Sequence, residues 1–351
     1  MQLYALEPGD ALAAAIASEL GVAVAPHEHR RFDDGEEKLR PLVDPRGQDA
    51  VVVLSLHGAA AASAASAASA ASAASAAPAA PAAPGGPATD SPHDRLLRLL
   101  MFLATLRDHG AARVTAVVPY LAYARKDRRT KPFDPLGLRV VAQLFEAVRP
   151  DQLIVLEAHA LAAFENAFRT PTLHVPGHTV FDDAWAGVLA PRLGDRPLAV
   201  ASPDPGGVKR AQLWRESLEQ RQGRPVGFAM VDKRRSAGVV SSERLVAGDV
   251  AGRSVLLLDD LVASGGTLRQ AAQALRGAGA HEVLALATHG VFVGDAATQL
   301  ADPALAAVFV TDSVPPGRLP TGGPAAARLQ VVSAAPQLAA AIRTCQRGRT
   351  G

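Results

Sequence analysis

Only one cysteine, Cys345, occurs in 351 residues, so no internal disulfide can staple the fold, and this usage fits a reducing compartment. No apolar run approaches the roughly 18–20 residues that cross a bilayer. The mildly apolar start, Leu3 to Leu20, is broken by Glu7, Pro8, Gly9, Asp10 and Glu19 and lacks the basic-then-apolar pattern of a secretory signal. A soluble, cytoplasmic protein without a membrane partner is expected. Strong charge of one sign is missing too. The net charge is +2, from 36 basic and 34 acidic residues, which argues against a surface built to grip nucleic acid. The absence of any Gly-Lys dipeptide excludes a Walker-type phosphate loop. Lysine is scarce: Lys38, Lys126, Lys131, Lys209 and Lys233 are the only five among the 36 basic residues. Where arginine dominates so heavily, a retained lysine points to a task for a compact, mobile charge.

What is present is a globular share of apolar residues, 48%, in a chain long enough for two domains at roughly 100–200 residues each. Residues 59–83 stand apart, with 18 Ala, five Ser and two Pro, and with Ser63, Ser66, Ser69, Ser72 and Ser75 in strict period three. Such a tract has little to bury against its ordering entropy, so residues 58–90 are expected to form a surface insertion between a strand and the next helix. Elsewhere short apolar runs such as Ala50–Leu56, Arg113–Val118, Leu153–Leu156, Val255–Leu258 and Val283–Ala287 alternate with helical patterns such as His93–Arg107 and Pro135–Val148. The alternation predicts an α/β fold with mainly parallel sheets covered on both faces, whose ligands gather at the carboxyl ends of the strands.

The strongest local signal is Val255–Thr267, VLLLDDLVASGGT. A buried strand ends in the acid pair Asp259 and Asp260, and Ser264, Gly265, Gly266 and Thr267 open a helix. Glycines there allow a tight turn whose backbone N–H groups converge on an anion, and the two hydroxyls can add donors. Acids beside a phosphate cradle suit sugar hydroxyls or a hydrated magnesium ion.

This segment resembles the phosphoribosyl-diphosphate motif of type I phosphoribosyltransferases, and further motifs in order narrow the resemblance to ribose-phosphate pyrophosphokinases. Phe32–Glu36 (FDDGE) is similar to that family's FSDGE loop, and Val118–Arg129 (VPYLAYARKDRR) to IPYFGYARQDRK. Glu157–Ala160 (EAHA) stands where the family has DLHA, and Ser202–Val208 (SPDPGGV) resembles SPDVGGV. Asp232–Arg235 (DKRR) resembles the start of a catalytic loop, and Thr288–Phe292 (THGVF) and Leu338–Arg343 complete the series.

The resemblance implies two tandem phosphoribosyltransferase-like domains, expected at 1–168 and 169–330, with a terminal helix, 336–347, packing back on the first. It implies transfer of the diphosphoryl group of ATP to the C1 hydroxyl of ribose 5-phosphate, with Mg2+ as cofactor, held by His159 and Asp204. Lys233 and Arg235 are implied as transition-state stabilisers on a polar, closing loop over Arg234–Ala247. The ATP site is implied at Phe32, Asp34, Glu36, Arg125, Lys126, Asp127 and His159, and the ribose-phosphate site at Asp259, Asp260, Ser264, Gly265, Gly266 and Thr267. Because the Phe32–Glu36 loop would reach in from a neighbouring subunit, a dimer-based homo-oligomer, up to a hexamer, with a shared active site is expected. Departures from the family pattern are Glu157 for Asp, Leu161 for Gln, Lys126 for Gln and Ala263 for an acid. Three other readings stay open on sequence alone: a phosphoribosyltransferase, which would leave SPDPGGV and DKRR unexplained, a non-catalytic regulatory homologue, and a related diphosphokinase for another pentose phosphate, since Ala263 and the altered histidine motif flank the sugar site.

Overall fold

The computed structural model describes residues 1–58, 90–236 and 239–347, with the side chains of residues 233–243 outside that description. The expected insertion therefore falls almost wholly outside the described residues. In chain order the first unit supplies β1 (Gln2–Ala5), β2 (His27–Arg31), β3 (Glu37–Pro41), β4 (Asp49–Val53), β5 (Arg113–Val118), β6 (Gln152–Leu156) and β7 (Thr172–Val175). Five of these form a parallel sheet in the order β1-β4-β5-β6-β7, while β2 and β3 make a separate antiparallel hairpin. The central strands are runs of Val, Leu, Ile and Ala with both faces buried, as a sheet covered by helices on each side requires.

The helices begin and end where their caps dictate. Helix Ala11–Leu20 starts at Asp10, whose carboxylate accepts from the Ala13 amide at 3.0 Å, and stops at Gly21 in the left-handed region. Helix Pro92–Asp108 opens with a capping box in which Ser91 and Asp94 satisfy each other's amides. Helix Ala335–Arg347 returns from the far end of the chain, and its Leu338, Ala339 and Ile342 bury against Leu12, Ile16, Val51 and Ile154 of the first unit.

The second unit supplies β8 (Leu198–Ser202), β9 (Gly227–Ser236), β10 (Val239–Ala247), β11 (Ser254–Val262), β12 (Glu282–Gly290), β13 (Ala307–Thr311) and β14 (Leu329–Val332). They form one sheet in the order β10-β9-β8-β11-β12-β13-β14, parallel except for the β9–β10 edge pair. The α/β architecture of two mainly parallel sheets is the one expected.

Two short strands lie at the ends of the sheets: β7 pairs with β6, carrying the first sheet to Val175, and β14 pairs with β13, carrying the second to Val332. Both are four-residue, partly exposed strands, too short to give a periodic apolar signal. The stretch Arg234–Ala247, expected as a loop, instead runs through the β9–β10 hairpin, with a register shift between Val240 and Arg244. Its polar composition hid the strands, because cross-strand backbone pairing does not need apolar side chains.

The points where the chain leaves for the insertion and returns from it are adjacent. A Cβ built on Gly58 would stand 3.1 Å from Cδ of Pro92. Arg318 donates to the Gly58 carbonyl, and Arg98 holds Asp90 at 2.6 Å. Loop-closure entropy changes slowly with length, so replacing residues 59–89 with a short Gly-Ser linker should leave Tm within about 3 °C of the parent or raise it slightly. Differential scanning calorimetry checks this; a large fall in Tm would mean that the tract contributes to the fold.

Candidate active site

The carboxyl ends of β6, β8 and β11 meet at the seam between the two sheets. β11 ends in Asp259 and Asp260, and the turn that follows leads into helix Gly266–Gly277. Gly265, the residue before that helix, has φ +80°, and a Cβ there would meet Leu300 Cδ2 at 3.0 Å, so both conformation and space call for glycine. At the end of β8, Asp204 accepts the amides of Gly206 and Gly207 at 2.9 and 3.2 Å through one carboxylate oxygen. This fixes its carboxylate at the start of the 3-10 turn Pro205–Gly207.

β6 of the first unit delivers Glu157 and His159 to the same place. His159 Nδ1 lies 2.6 Å from Asp260 Oδ2, a contact that crosses from one sheet to the other. Glu157 is buried and has φ +46°, an uncommon conformation for a side-chain-bearing residue. Its Oε2 accepts the Gly177 amide at 2.7 Å and its Oε1 accepts Arg210 Nε at 2.9 Å. Arg210 Nη2 also donates to the His159 carbonyl at 3.1 Å, while Nη1 lies 3.5 Å from Asp260 Oδ1 and 3.9 Å from Asp259 Oδ1. His289, fully buried on β12, completes the seam: its Nε2 donates to the Glu157 carbonyl at 3.2 Å.

His159, Asp204, Arg210, Asp259 and Asp260 border a polar cleft of about 930 Å³. Of the residues singled out from the sequence, Arg125, Asp127, His159, Asp204, Asp259, Asp260, Ser264, Gly265 and Thr267 line it. Lys126 and Gly266 are not among the lining residues, although each neighbours one that is. Phe32, Asp34 and Glu36 do not reach this cleft; they sit at the tip of the β2–β3 hairpin, where Phe32 packs under the Arg30 guanidinium, 4.9 Å from the ring centre. Lys233 and Arg235 belong to β9 at the sheet edge, and their side chains lie outside the described residues.

The charges in the cleft are unevenly set. Burial works against an ionised Asp260, but the His159 hydrogen bond and the Arg210 guanidinium outweigh it and hold this carboxyl well below the usual range. The same hydrogen bond raises the His159 pKa against the effect of burial. Asp259 goes the other way: burial, and then the charge of Asp260 beside it, push its carboxyl well above the ordinary value. His289 is kept neutral, its pKa lowered by burial.

Sequence reasoning missed Arg210, Arg128, Asp232 and Arg244, which also line the cleft. Arg210 did leave a trace. It stands in the first turn of helix Val208–Gln222, where a cation opposes the helix dipole and needs acidic partners from elsewhere.

Residues 1–148 match the N-terminal domain of ribose phosphate pyrophosphokinase, and residues 239–349 match the phosphoribosyl synthetase-associated domain. A ribose-phosphate pyrophosphokinase of Haemophilus ducreyi is 33% identical over 345 residues, covering 98% of this chain and 95% of that protein. One of Agrobacterium fabrum is 33% identical over 352 residues, covering 99% and 97%. The crystal structure of phosphoribosylpyrophosphate synthetase from Mycobacterium smegmatis superposes with a TM-score of 0.76 at 29% identity, covering 99% of both chains. The chain belongs to the ribose-phosphate pyrophosphokinase family.

Membership extends to the tandem-domain α/β fold and to the expectation of an enzyme of this family. No helix among the described residues is long and apolar enough to cross a membrane.

Gly177, which donates its amide to Glu157, tests how tightly this seam is built. A Cβ at this position would fall 1.9 Å from Thr288 Oγ1, 3.0 Å from Thr288 Cβ and 3.0 Å from Glu157 Oε2. Gly177→Ala is expected to destabilise by about 1–3 kcal/mol, as overpacked interiors do. Adding Thr288→Ala should recover part of the loss, measured by urea unfolding; equal stabilities for the parent and Gly177→Ala would show that the seam yields.

Proposed function

We propose that the chain transfers the diphosphoryl group of ATP to the C1 hydroxyl of ribose 5-phosphate, giving 5-phosphoribosyl 1-diphosphate and AMP. The observation that carries this reading is that one cleft gathers the acid pair and glycine turn of the second unit with His159, Arg125 and Asp127 of the first. In this reading the amides and hydroxyls of Ala263–Thr267 seat the 5-phosphate at a helix start, and the acid pair takes the ribose hydroxyls. ATP lies along the opposite wall, against Arg125 and Asp127. The C1 hydroxyl oxygen attacks the β-phosphorus in line and gives up its proton to solvent, the bond from that phosphorus to the α–β bridging oxygen breaks, and AMP leaves with the electron pair. Such chemistry is mostly positioning and electrostatic stabilisation. Lys233 and Arg235 on β9 are assigned the developing negative charge.

The donor set fits magnesium carried with substrate phosphates. No cluster of three or more His, Cys, Asp or Glu that could hold a metal occurs among the described residues, so phosphate oxygens and water would supply most of its coordination. His159 and Asp204 would hold it. The Asp260 contact at Nδ1 leaves Nε2 as the ring atom available to a metal, the arrangement by which a carboxylate orients a ligating histidine. When bound, the ion would neutralise phosphate charge. Phe32, Asp34 and Glu36 are assigned to the adenine of a neighbouring subunit's site, in a dimer-based assembly, because their hairpin tip does not reach the cleft of its own chain.

AMP release from ATP and ribose 5-phosphate with magnesium and no nucleobase, followed by a coupled assay, tests the reading; a strict requirement for a nucleobase would replace it with phosphoribosyl transfer. Lys233→Ala should lower kcat by about 10²–10³-fold while KM changes little, since its charge acts mainly in the transition state. An unchanged kcat would show the residue to be misassigned. Mixing Phe32→Ala with Lys233→Ala should restore activity above that of either variant alone if sites are shared, and should not if each chain is self-sufficient.

A further inference from the structure

Arg210 contacts both walls of the cleft through several groups at once. Its guanidinium reaches the Glu157 carboxylate at 2.9 Å and the His159 carbonyl at 3.1 Å on the first unit. On the second unit, which contains Arg210 itself, it faces Asp260 at 3.5 Å and Asp259 at 3.9 Å. Its side chain is 13% exposed and lines the cleft. The geometry asks for a planar fork. Nε and the two Nη groups each address a different partner, and an ammonium on a single stem cannot meet all three.

The neighbours show that this arrangement is held under constraint. Glu157 sits at φ +46°, a conformation that costs on the order of 1 kcal/mol and persists only where the surroundings impose it. It is pinned on three sides: its amide donates to the Val175 carbonyl at 2.8 Å, its carbonyl accepts from His289, and its carboxylate is shared between Gly177 and Arg210. The electrostatics point the same way. Asp259 and Asp260 line the cleft that phosphate groups would enter, and Arg210 sets a cation beside them.

We propose that Arg210 is a positioning residue for the reaction, locking the His159 turn of the first unit to the acid pair of the second and so setting the separation of the two substrate-bearing walls. The inference rests on the diphosphoryl-transfer reading above. Arg210 acts through Glu157, His159 and Asp260 and does not touch the reacting atoms. Misplacing reacting groups by about 1 Å can cost about 10²-fold in rate, so the effect falls on kcat and leaves both KM values nearly unchanged.

The test uses the full chain, with the parent's AMP release as the reference. Failure of the parent to turn over would sink the diphosphoryl-transfer reading and this inference with it, whereas the behaviour of the Arg210 variants beside an active parent bears on this inference alone. Arg210→Lys keeps the charge and loses the fork; its kcat should fall by about 10-fold or more, with KM for ATP and ribose 5-phosphate within about threefold of the parent. Arg210→Ala should fall by about 10²-fold, and guanidinium at sub-denaturing concentration should restore part of that kcat where methylammonium does not. A purely structural ion pair gives a different result: activity follows the folded fraction measured by circular dichroism at the assay temperature, with no guanidinium rescue, and that overturns the proposal. So does a parent-like kcat in Arg210→Lys.

Discussion

Where the two sheets abut, Glu157, Asp259 and Asp260 come together around a single guanidinium and a single imidazole. Burying ions is costly, and a buried ion pair adds little net stability over an apolar replacement; removing one partner, however, commonly costs about 3–5 kcal/mol because the other charge is left stranded. The pairs at this seam therefore say more about geometry than about stability. Arg210–Glu157, Arg210–His159 and His159–Asp260 each join the end of a first-unit strand to the second unit, so the cleft depends on both halves being held in register. The strained Glu157 and the space-starved Gly177 are both consequences of that demand.

The rest of the architecture serves to present strand ends. Parallel sheets direct all their carboxyl termini to one edge, and in both units that edge faces the seam. Core packing is almost entirely aliphatic, with a few large rings such as Trp214, Phe145 and Phe309 fully buried. Few of the described core groups need polar partners as a result. Among the buried polar residues, His289, Thr311 and Ser313 hydrogen-bond among themselves. Others lie in the supporting layers, where Arg98 pairs with Glu37 and Asp90, and Asp182 accepts from the Trp214 indole.

The glycine turn and acid pair of Asp259–Thr267 were legible because backbone conformation there is a local property: glycine is required by φ and by space, and the helix start follows directly from the sequence. Most strands were equally legible, since covered parallel strands are unbroken apolar runs. Some strands were not. β7 and β14 are too short, and β10 with the end of β9 too polar, for any periodicity to reveal them; they exist because a neighbouring strand offers an unpaired edge. The hairpin bearing Phe32 was visible as a turn, but nothing local says which cleft its tip approaches.

Sequence by itself determined the α/β alternation, the glycine cradle with its adjacent acids, and the absence of disulfides or a bilayer-spanning run, because each follows from residue types at short spacing. Tertiary structure alone decided which way the pKa of each of those acids is pushed, that His159 belongs to Asp260, and that Arg210 ties the two halves together. Those outcomes depend on distances between residues about fifty and about a hundred positions apart, and on burial that only the packing of one sheet against the other creates.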